Sequence, residues 1–351
     1  MTPNNSFFKP APADSAGLIT NYRCTNTCAH CLYGSSPCVE EQVSPETLKE
    51  IIRNIKREIP HCSIHIGGGE PFLDFDLLGS TVETVLQNGL CLEYVETNGI
   101  LLSGQDSRDK LLALRRLGLK CILLSISPFH NEFISIEDSK KIFSLITDIF
   151  GNDGIFPWHP AYYDFIKQTA CTLTSDINEY FSFFSAEEIY RQLTNVIYIH
   201  PAGRAAFVFR DFIGGFPAAG YFSKNCAGEA SSPTHAHIDY AGNYCAGFCS
   251  GLTIGQEAGC DLGELYRRGI DLEEYPILDI LINRTLGDLF EYTLERGFTE
   301  KKSKDKSEEK YSSSCHLCMH LRTFLYFRFP GKYKELASGL FYEDMKERFG
   351  L

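Results

Sequence analysis

Two rhythms of apolar residues alternate along the first two-thirds of the chain. Short apolar runs that suit buried strands are separated by longer stretches with helical spacing. The runs at 17–22, 63–66, 92–96, 121–126, 155–158 and 196–199 read as strands, and 45–59, 74–88, 106–117, 136–150 and 186–193 as helices. In the first helix Leu48, Ile51, Ile52 and Ile55 share a face, Ser44 is in place to cap it and Pro45 occupies its first turn. Gly89 closes the second helix. Strand followed by helix, repeated, predicts a parallel sheet with helices outside. A closed eight-stranded barrel takes about 250 residues. Here the alternation stops near Ala205, so the expected fold class is α/β, a partial (βα)6 TIM-type barrel over 17–205 with a small C-terminal cysteine-rich α+β extension. In such folds chemistry gathers at the carboxyl ends of the strands.

Each candidate motif falls at such an end. After the first strand comes Arg-Cys-Thr-Asn-Thr-Cys-Ala-His-Cys-Leu-Tyr, with Cys24, Cys28 and Cys31 spaced C-x3-C-x2-C. Three thiolates this close can hold three corners of a four-iron four-sulfur cube and leave the fourth iron open. A tetrahedral zinc site would want a fourth ligand, and three buried cysteines on an irregular loop would need none. The second strand runs into Gly67-Gly68-Gly69-Glu70-Pro71, where glycines permit close approach and a carboxylate can accept hydrogen bonds from an ammonium group. A bare glycine run is otherwise a turn. The third strand ends in Glu96-Thr97-Asn98-Gly99, in which Asn98 is both a turn former and a ligand-lining candidate. Alternation points Ser125 and Ser127 to the same side of the fourth strand, with His130 and Glu132 just beyond it, facing substrate or simply on the loop surface. The sixth strand leads to Arg204, suited to the carboxylate of a ligand or substrate or to a structural ion pair.

Taken together, the cysteine triplet, Gly-Gly-Glu, Thr-Asn-Gly and strand-four serines resemble the radical S-adenosylmethionine (SAM) superfamily. The resemblance implies that Cys24, Cys28 and Cys31 hold a 4Fe-4S cluster whose open iron is chelated by the amino and carboxylate groups of S-adenosyl-L-methionine. It places the methionyl end on Gly68, Gly69 and Glu70, adds Asn98, and assigns Ser125 and then Ser127 to the ribose. It also implies reductive cleavage of SAM to a 5'-deoxyadenosyl radical that abstracts a substrate hydrogen, with a flavodoxin- or ferredoxin-type reductant as partner. His130, Glu132 and Arg204 are the catalytic candidates. The usual glycine-rich adenine-contacting motif is absent from strand five. The Pro-Ala-Gly-Arg-Ala passage at 201–205 resembles the junction to the extensions called SPASM and twitch.

Beyond that junction Cys226, Cys245 (after a hairpin at 237–240 with its turn at 241–243), Cys315 and Cys318 supply four thiolates, the full complement for a second 4Fe-4S cluster. Cys249 and Cys260 lie among them, and a zinc site drawing on His316 and His320 is the alternative. The expected domains are a tail (1–16), the core (17–205), a twitch/SPASM-like auxiliary domain (206–325, with a linker at 299–314) and a closing helix (326–351), its amphipathic stretch at 333–349. Cys38, Cys62, Cys91, Cys121 and Cys171 read as core residues.

Composition narrows the class. Fourteen cysteines, most of them clustered, argue for metal in a reducing, cytoplasmic compartment rather than for secreted disulfides. No apolar run reaches the roughly 18 residues of a membrane span. A formal charge of −12 opposes a nucleic-acid partner. The expected substrate is a peptide or protein, with small-molecule dehydrogenation or natural-product biosynthesis as the second enzymatic reading and a zinc- or cluster-bearing binding protein as the non-enzymatic one.

Overall fold

The computed structural model describes residues 6–169, 172–231, 234–247, 249–254, 261–300, 309–336 and 339–351. The chain alternates β1 (Ser15–Asn21), α1 (Pro45–Glu58), β2 (Ser63–Gly68), α2 (Phe75–Gln87), β3 (Cys91–Thr97), α3 (Ser107–Leu117), β4 (Ile122–Leu124), α4 (Ile136–Phe150), β5 (Ile155–Pro157) and α5 (Pro160–Gln168). Strand order follows sequence order, β5-β4-β3-β2-β1, and every neighbouring pair is parallel. Because β1 and β2 are buried almost without a break, their sequences carry apolar runs instead of alternation. The helices start where capping side chains appear: Ser44 accepts from the Thr47 N–H, Asp74 from Leu77 and Ser135 from Asp138, each cap worth about 1 kcal/mol.

Residues 196–199, expected as a sixth strand, take another form. The helix Ala186–Arg191 runs on into a π-helical turn, Gln192–Val196, and Tyr198 has a φ of 52°. A bulky residue with positive φ interrupts extended backbone. Leu193 and Ile197, four residues apart, are both fully buried, so the apolar run meets its burial through helical spacing. Among the described residues the parallel sheet therefore has five strands in linear order, the open α/β form expected with one strand fewer.

The described residues of Asp14–Ala29 and Ser35–Ile199 form one compact unit, and those of Met1–Ala13, His30–Gly34 and His200–Leu351 form a second. The second unit contains α6 (Ala205–Ile213), β6 (His235–Ile238), β7 (Tyr244–Ala246), α7 (Pro276–Asn283), α8 (Leu286–Leu294), α9 (Ser314–Arg328) and α10 (Gly339–Phe349). β6 and β7 pair antiparallel, with His237 opposite Cys245. The Asp239 carboxylate accepts from the Ala241 and Asn243 N–H groups, and Gly242 supplies the positive φ of the turn. This hairpin starts two residues ahead of its expected position. Phe7–Phe8 pairs with Ile270–Asp271, giving the N-terminal tail a short strand. Lys310–Tyr311 pairs with Phe216–Pro217 at the end of the expected linker, whose residues 301–308 lie outside the described set. The closing helix begins at Gly339, later than expected. Of the scattered cysteines, Cys62 is buried and Cys121 half-buried, but Cys38 and Cys91 are exposed, one in a loop and one at the outward-facing first position of β3. Cys171 and Cys260 lie outside the described residues. Among those residues no helix is long and apolar enough to cross a membrane.

At their carboxyl ends β1 and β2 come closer than side chains permit. The Gly69 N–H donates to the Asn21 carbonyl (2.8 Å) and the Glu70 N–H to the Arg23 carbonyl (2.8 Å). A Cβ on Gly68 would collide with the Asn21 carbonyl and one on Gly69 with the Arg23 carbonyl, and Gly68 also holds a φ of 123°. Gly69→Ala is expected to cost about 1–3 kcal/mol, since only backbone can move away. Denaturant unfolding checks this, and an unchanged midpoint would contradict the close approach.

Candidate functional site

The loop after β1 is held by backbone before any side chain acts. The Cys24 N–H donates to the Ser36 carbonyl at 3.0 Å, while the two glycines fix Asn21 to Arg23 from below. Within the first unit the Cys24 sulfur accepts from the Asn26 backbone N–H (3.4 Å) and the Asn98 side-chain amide (3.6 Å). The Asn26 side-chain amide lies 3.7 Å from the Cys28 sulfur. N–H groups aimed at sulfur favour the thiolate, the form an iron ligand must take. Cys31 belongs to the second unit, where its carbonyl accepts from the Arg204 N–H at 2.9 Å. Asn26 carries no motif of its own; its place inside the cysteine loop was the only signal of its role.

Glu70 is fully buried and its carboxylate is shared among protein donors. One oxygen accepts from the Phe72 N–H (3.1 Å) and the Thr97 hydroxyl (2.8 Å), the other from the Asn98 N–H (2.8 Å). The Thr97 oxygen in turn accepts from the Gly99 N–H. Glu70 thus ties the end of β2 to the end of β3, and Asn98 carries the connection on to Thr25 (2.9 Å) and the Cys24 sulfur. Burial raises the Glu70 carboxyl to about 7, against the lowering effect of its hydrogen bonds to Asn98, Thr97 and Phe72. The neighbouring Glu96 is half-buried and shifted upward by desolvation, with only the Ser125 hydroxyl (3.2 Å) opposing. Glu96 sits beside Thr97-Asn98 in the motif, but a strand-end carboxylate reads from sequence as surface.

The end of β4 holds a second polar group. Ser125 is engaged by Glu96, and the Ser127 hydroxyl pairs with His130 Nδ1 at 2.7 Å. His130 is buried edge-on to Trp158, and Trp158 lies against His159 at 4.2 Å between ring centroids. Burial pushes His130 down to about 3 and His159 to about 2, so both rings are neutral at pH 7. His159 went unmarked by any motif, and both of its ring nitrogens are buried without a hydrogen-bond partner. Glu132 is half-buried and accepts from the Ile177 N–H at 3.3 Å. Arg204 is 2% exposed and forks onto Asp344 (2.9 and 3.1 Å) while donating to the Gly34 carbonyl (3.0 Å), the ion-pair alternative of the two that its sequence left open.

In the second unit Cys226, Cys249, Cys315 and Cys318 lie close enough to act on one another's charge. Burial raises Cys226, with Cys318, Cys249 and Cys315 adding to it, and burial raises Cys315 to about 12, with Cys249 and Cys318 adding. Cys245 is buried on β7. His316 Nδ1 is engaged by Ser312 and His320 Nδ1 by the Tyr311 hydroxyl (3.1 Å), and both rings pack on Phe349. The histidines are thereby drawn into an aromatic cluster, while the four sulfurs form a thiol-only donor set that fits iron–sulfur ligation.

Residues 18–144 match the family model described as "Radical SAM superfamily". The "Putative peptide biosynthesis protein YydG" of Bacillus subtilis (strain 168) is 22% identical over 120 residues, 34% of this chain, and the match spans 38% of that protein's length. Among solved structures, BtrN in complex with AdoMet and 2-DOIA is 13% identical with a TM-score of 0.45, covering 87% of this chain and 99% of that one. Histidine-tagged anSMEcpe with bound AdoMet is 14% identical with a TM-score of 0.46, covering 92% and 98%. The fold assignment rests on the parallel sheet itself.

The buried carboxyl generates a pH dependence. Glu70 holds its proton more tightly folded than unfolded, so the stability it contributes is complete below pH 4.5 and is lost as the pH rises through about 7. In metal-free protein, wild type is expected to lose roughly 3 kcal/mol relative to Glu70→Gln across that window. Urea unfolding of both proteins at pH 5 and pH 8 measures the difference, and a gap independent of pH would refute it.

Proposed function

From the match of residues 18–144 to the radical SAM superfamily we propose that the chain is a radical SAM enzyme acting on a peptide or protein. The observation that carries this reading is the cysteine loop at the end of β1, with Cys24 and Cys28 already receiving N–H groups. Cys24, Cys28 and Cys31 would hold the core 4Fe-4S cluster, leaving one iron for SAM. When bound, that pair supplies the electron transfer that cleaves SAM and the 5'-deoxyadenosyl radical that takes a hydrogen atom from substrate.

The chain's own residues do the positioning. Asn26 and Asn98 donate toward the ligand sulfurs, and Gly68, Gly69 and Glu70 fix the strand end against which the methionyl group would lie. Since Glu70 already spends both oxygens on protein donors, its role is to hold Asn98 and the cysteine loop in place. Ser125, Ser127 and the neutral His130 line the end of β4, where the family's ribose site falls. Arg204, paired with Asp344, belongs to the framework of the second unit.

The second unit would hold an auxiliary 4Fe-4S cluster. Cys226, Cys315 and Cys318 are three of its ligands, and the mutual influence of the four thiols favours Cys249 over Cys245 as the last. A flavodoxin- or ferredoxin-type protein is the proposed electron donor, and the abundance of free thiols supports a reducing cytoplasm. The peptide substrate is favoured over a small molecule by the curated relative whose name assigns it to peptide biosynthesis.

Anaerobically reconstituted protein given dithionite and SAM is expected to release 5'-deoxyadenosine and methionine. Replacing Cys24, Cys28 or Cys31 by Ala should reduce that release at least a hundredfold, on the order of 3 kcal/mol in rate terms, and leave the iron of the second unit. Turnover surviving in any of the three would sink the core assignment. Mass spectrometry of candidate precursor peptides after turnover tests the substrate class, with an unmodified peptide and a modified small molecule as the adverse outcome.

A further inference from the structure

Cys315, Cys318 and Arg322 follow one another at helical intervals of three and four along α9, so their side chains share one stripe. Arg322 is 2% exposed, one of the largest side chains buried in the protein. Its Nη1 donates to the Ser250 carbonyl (2.9 Å) and the Tyr342 hydroxyl (3.1 Å). Among the described residues no carboxylate pairs with it, and its buried Nε has no hydrogen-bond partner. Tyr342, Cys318 and Cys249 are its ionisable neighbours, and a guanidinium keeps its charge in the protein interior. A lone cation in such a place is costly to bury unless an anion shares the site.

Cys315 and Cys318 share the helix stripe with Arg322, and a thiol that holds no metal carries its proton. Binding a metal centre removes those protons. Four thiolates outweigh the positive charge of an iron–sulfur core, so the centre is anionic and gains one more negative charge on reduction. The interaction with a fixed neighbouring cation is then stronger in the reduced state.

We propose that Arg322 is the counter-charge of the auxiliary cluster and raises its reduction potential. The proposal rests on the reading that Cys226, Cys249, Cys315 and Cys318 hold that cluster. Arg322 is a positioning residue in this role, since it acts on the cluster through charge and takes no part in SAM cleavage. A purely structural Arg322, tying Ser250 to Tyr342, would leave the potential where it is.

The full chain with Cys24, Cys28 and Cys31 replaced by Ala leaves only the rear cysteines to hold iron, and a spectroscopic redox titration reads their cluster directly. In that background Arg322→Gln is expected to shift the oxidised–reduced equilibrium at least tenfold toward oxidised, about 59 mV for one electron. Arg322→Lys keeps the charge and should stay within about threefold of the parent, and Tyr342→Phe, which removes a neutral group, should do the same. A cluster of parental potential in Arg322→Gln overturns the proposal. Should the glutamine variant fold poorly or hold no iron, Arg322→Lys decides: a cluster near parental potential supports the charge, and a tenfold shift or loss of the cluster overturns it. Iron missing from the parent before any change at Arg322 overturns the cluster reading, and this proposal with it.

Discussion

The buried Glu70 carboxylate is the interaction on which the front half of the molecule depends. It gathers N–H and O–H donors from Phe72, Thr97 and Asn98 at the ends of two neighbouring strands. Burial there works against ionisation, and the donors oppose it only in part. Asn98 is held by its backbone to Glu70 and by its side chain to Thr25 and the Cys24 sulfur, so the position of the carboxylate bears on the position of Cys24. The glycines before it act in the same direction. They let β2 lie so close to β1 that the backbone of Asn21 to Arg23 is pinned before the cysteine loop begins. A motif that reads as a cradle for a ligand is also the device that holds the ligand's neighbour still.

Most of the sheet was legible because its determinants are local. The caps Ser44, Asp74 and Ser135 and the four-residue spacing of buried leucines and isoleucines mark each helix, and strands fill the intervals. The sixth strand was not legible, since a run containing Leu193, Val196, Ile197 and Ile199 satisfies a strand and an irregular helix equally well. What separates them is Tyr198 in the left-handed region, a property of the folded chain. The cysteine triplet could be found from its spacing. The partners of each sulfur could not, because Asn98 lies seventy-four residues from Cys24 and meets it only through the register of β1, β2 and β3.

Arg204 and Arg322 show why a buried arginine has to be read with its neighbours. Both stand 2% exposed. Arg204 has a forked contact with Asp344 and the Gly34 carbonyl, which neutralises it and leaves little for a ligand to gain. Arg322 has carbonyl and hydroxyl acceptors but, among the described residues, no carboxylate, and its ionisable neighbours besides Tyr342 are the thiols of Cys318 and Cys249. The same residue type at the same depth therefore closes one charge balance and leaves the other open.

That open balance bears on which groups surround the rear cysteines. On α9, His316 and His320 turn their Nδ1 atoms to Ser312 and Tyr311 and pack on Phe349. Cys249, Cys315 and Cys318 bring soft sulfur donors to a buried cation, where a thiolate would offset the charge of Arg322. The front cysteines sit in a different electrostatic setting. There the groups near sulfur are neutral amides, and the acidic neighbours are the buried Glu70 and the half-buried Glu96, both pushed toward the neutral form by desolvation. Neutral amides and a guanidinium act differently on a neighbouring sulfur, the amides by donating hydrogen bonds and the guanidinium by its full charge.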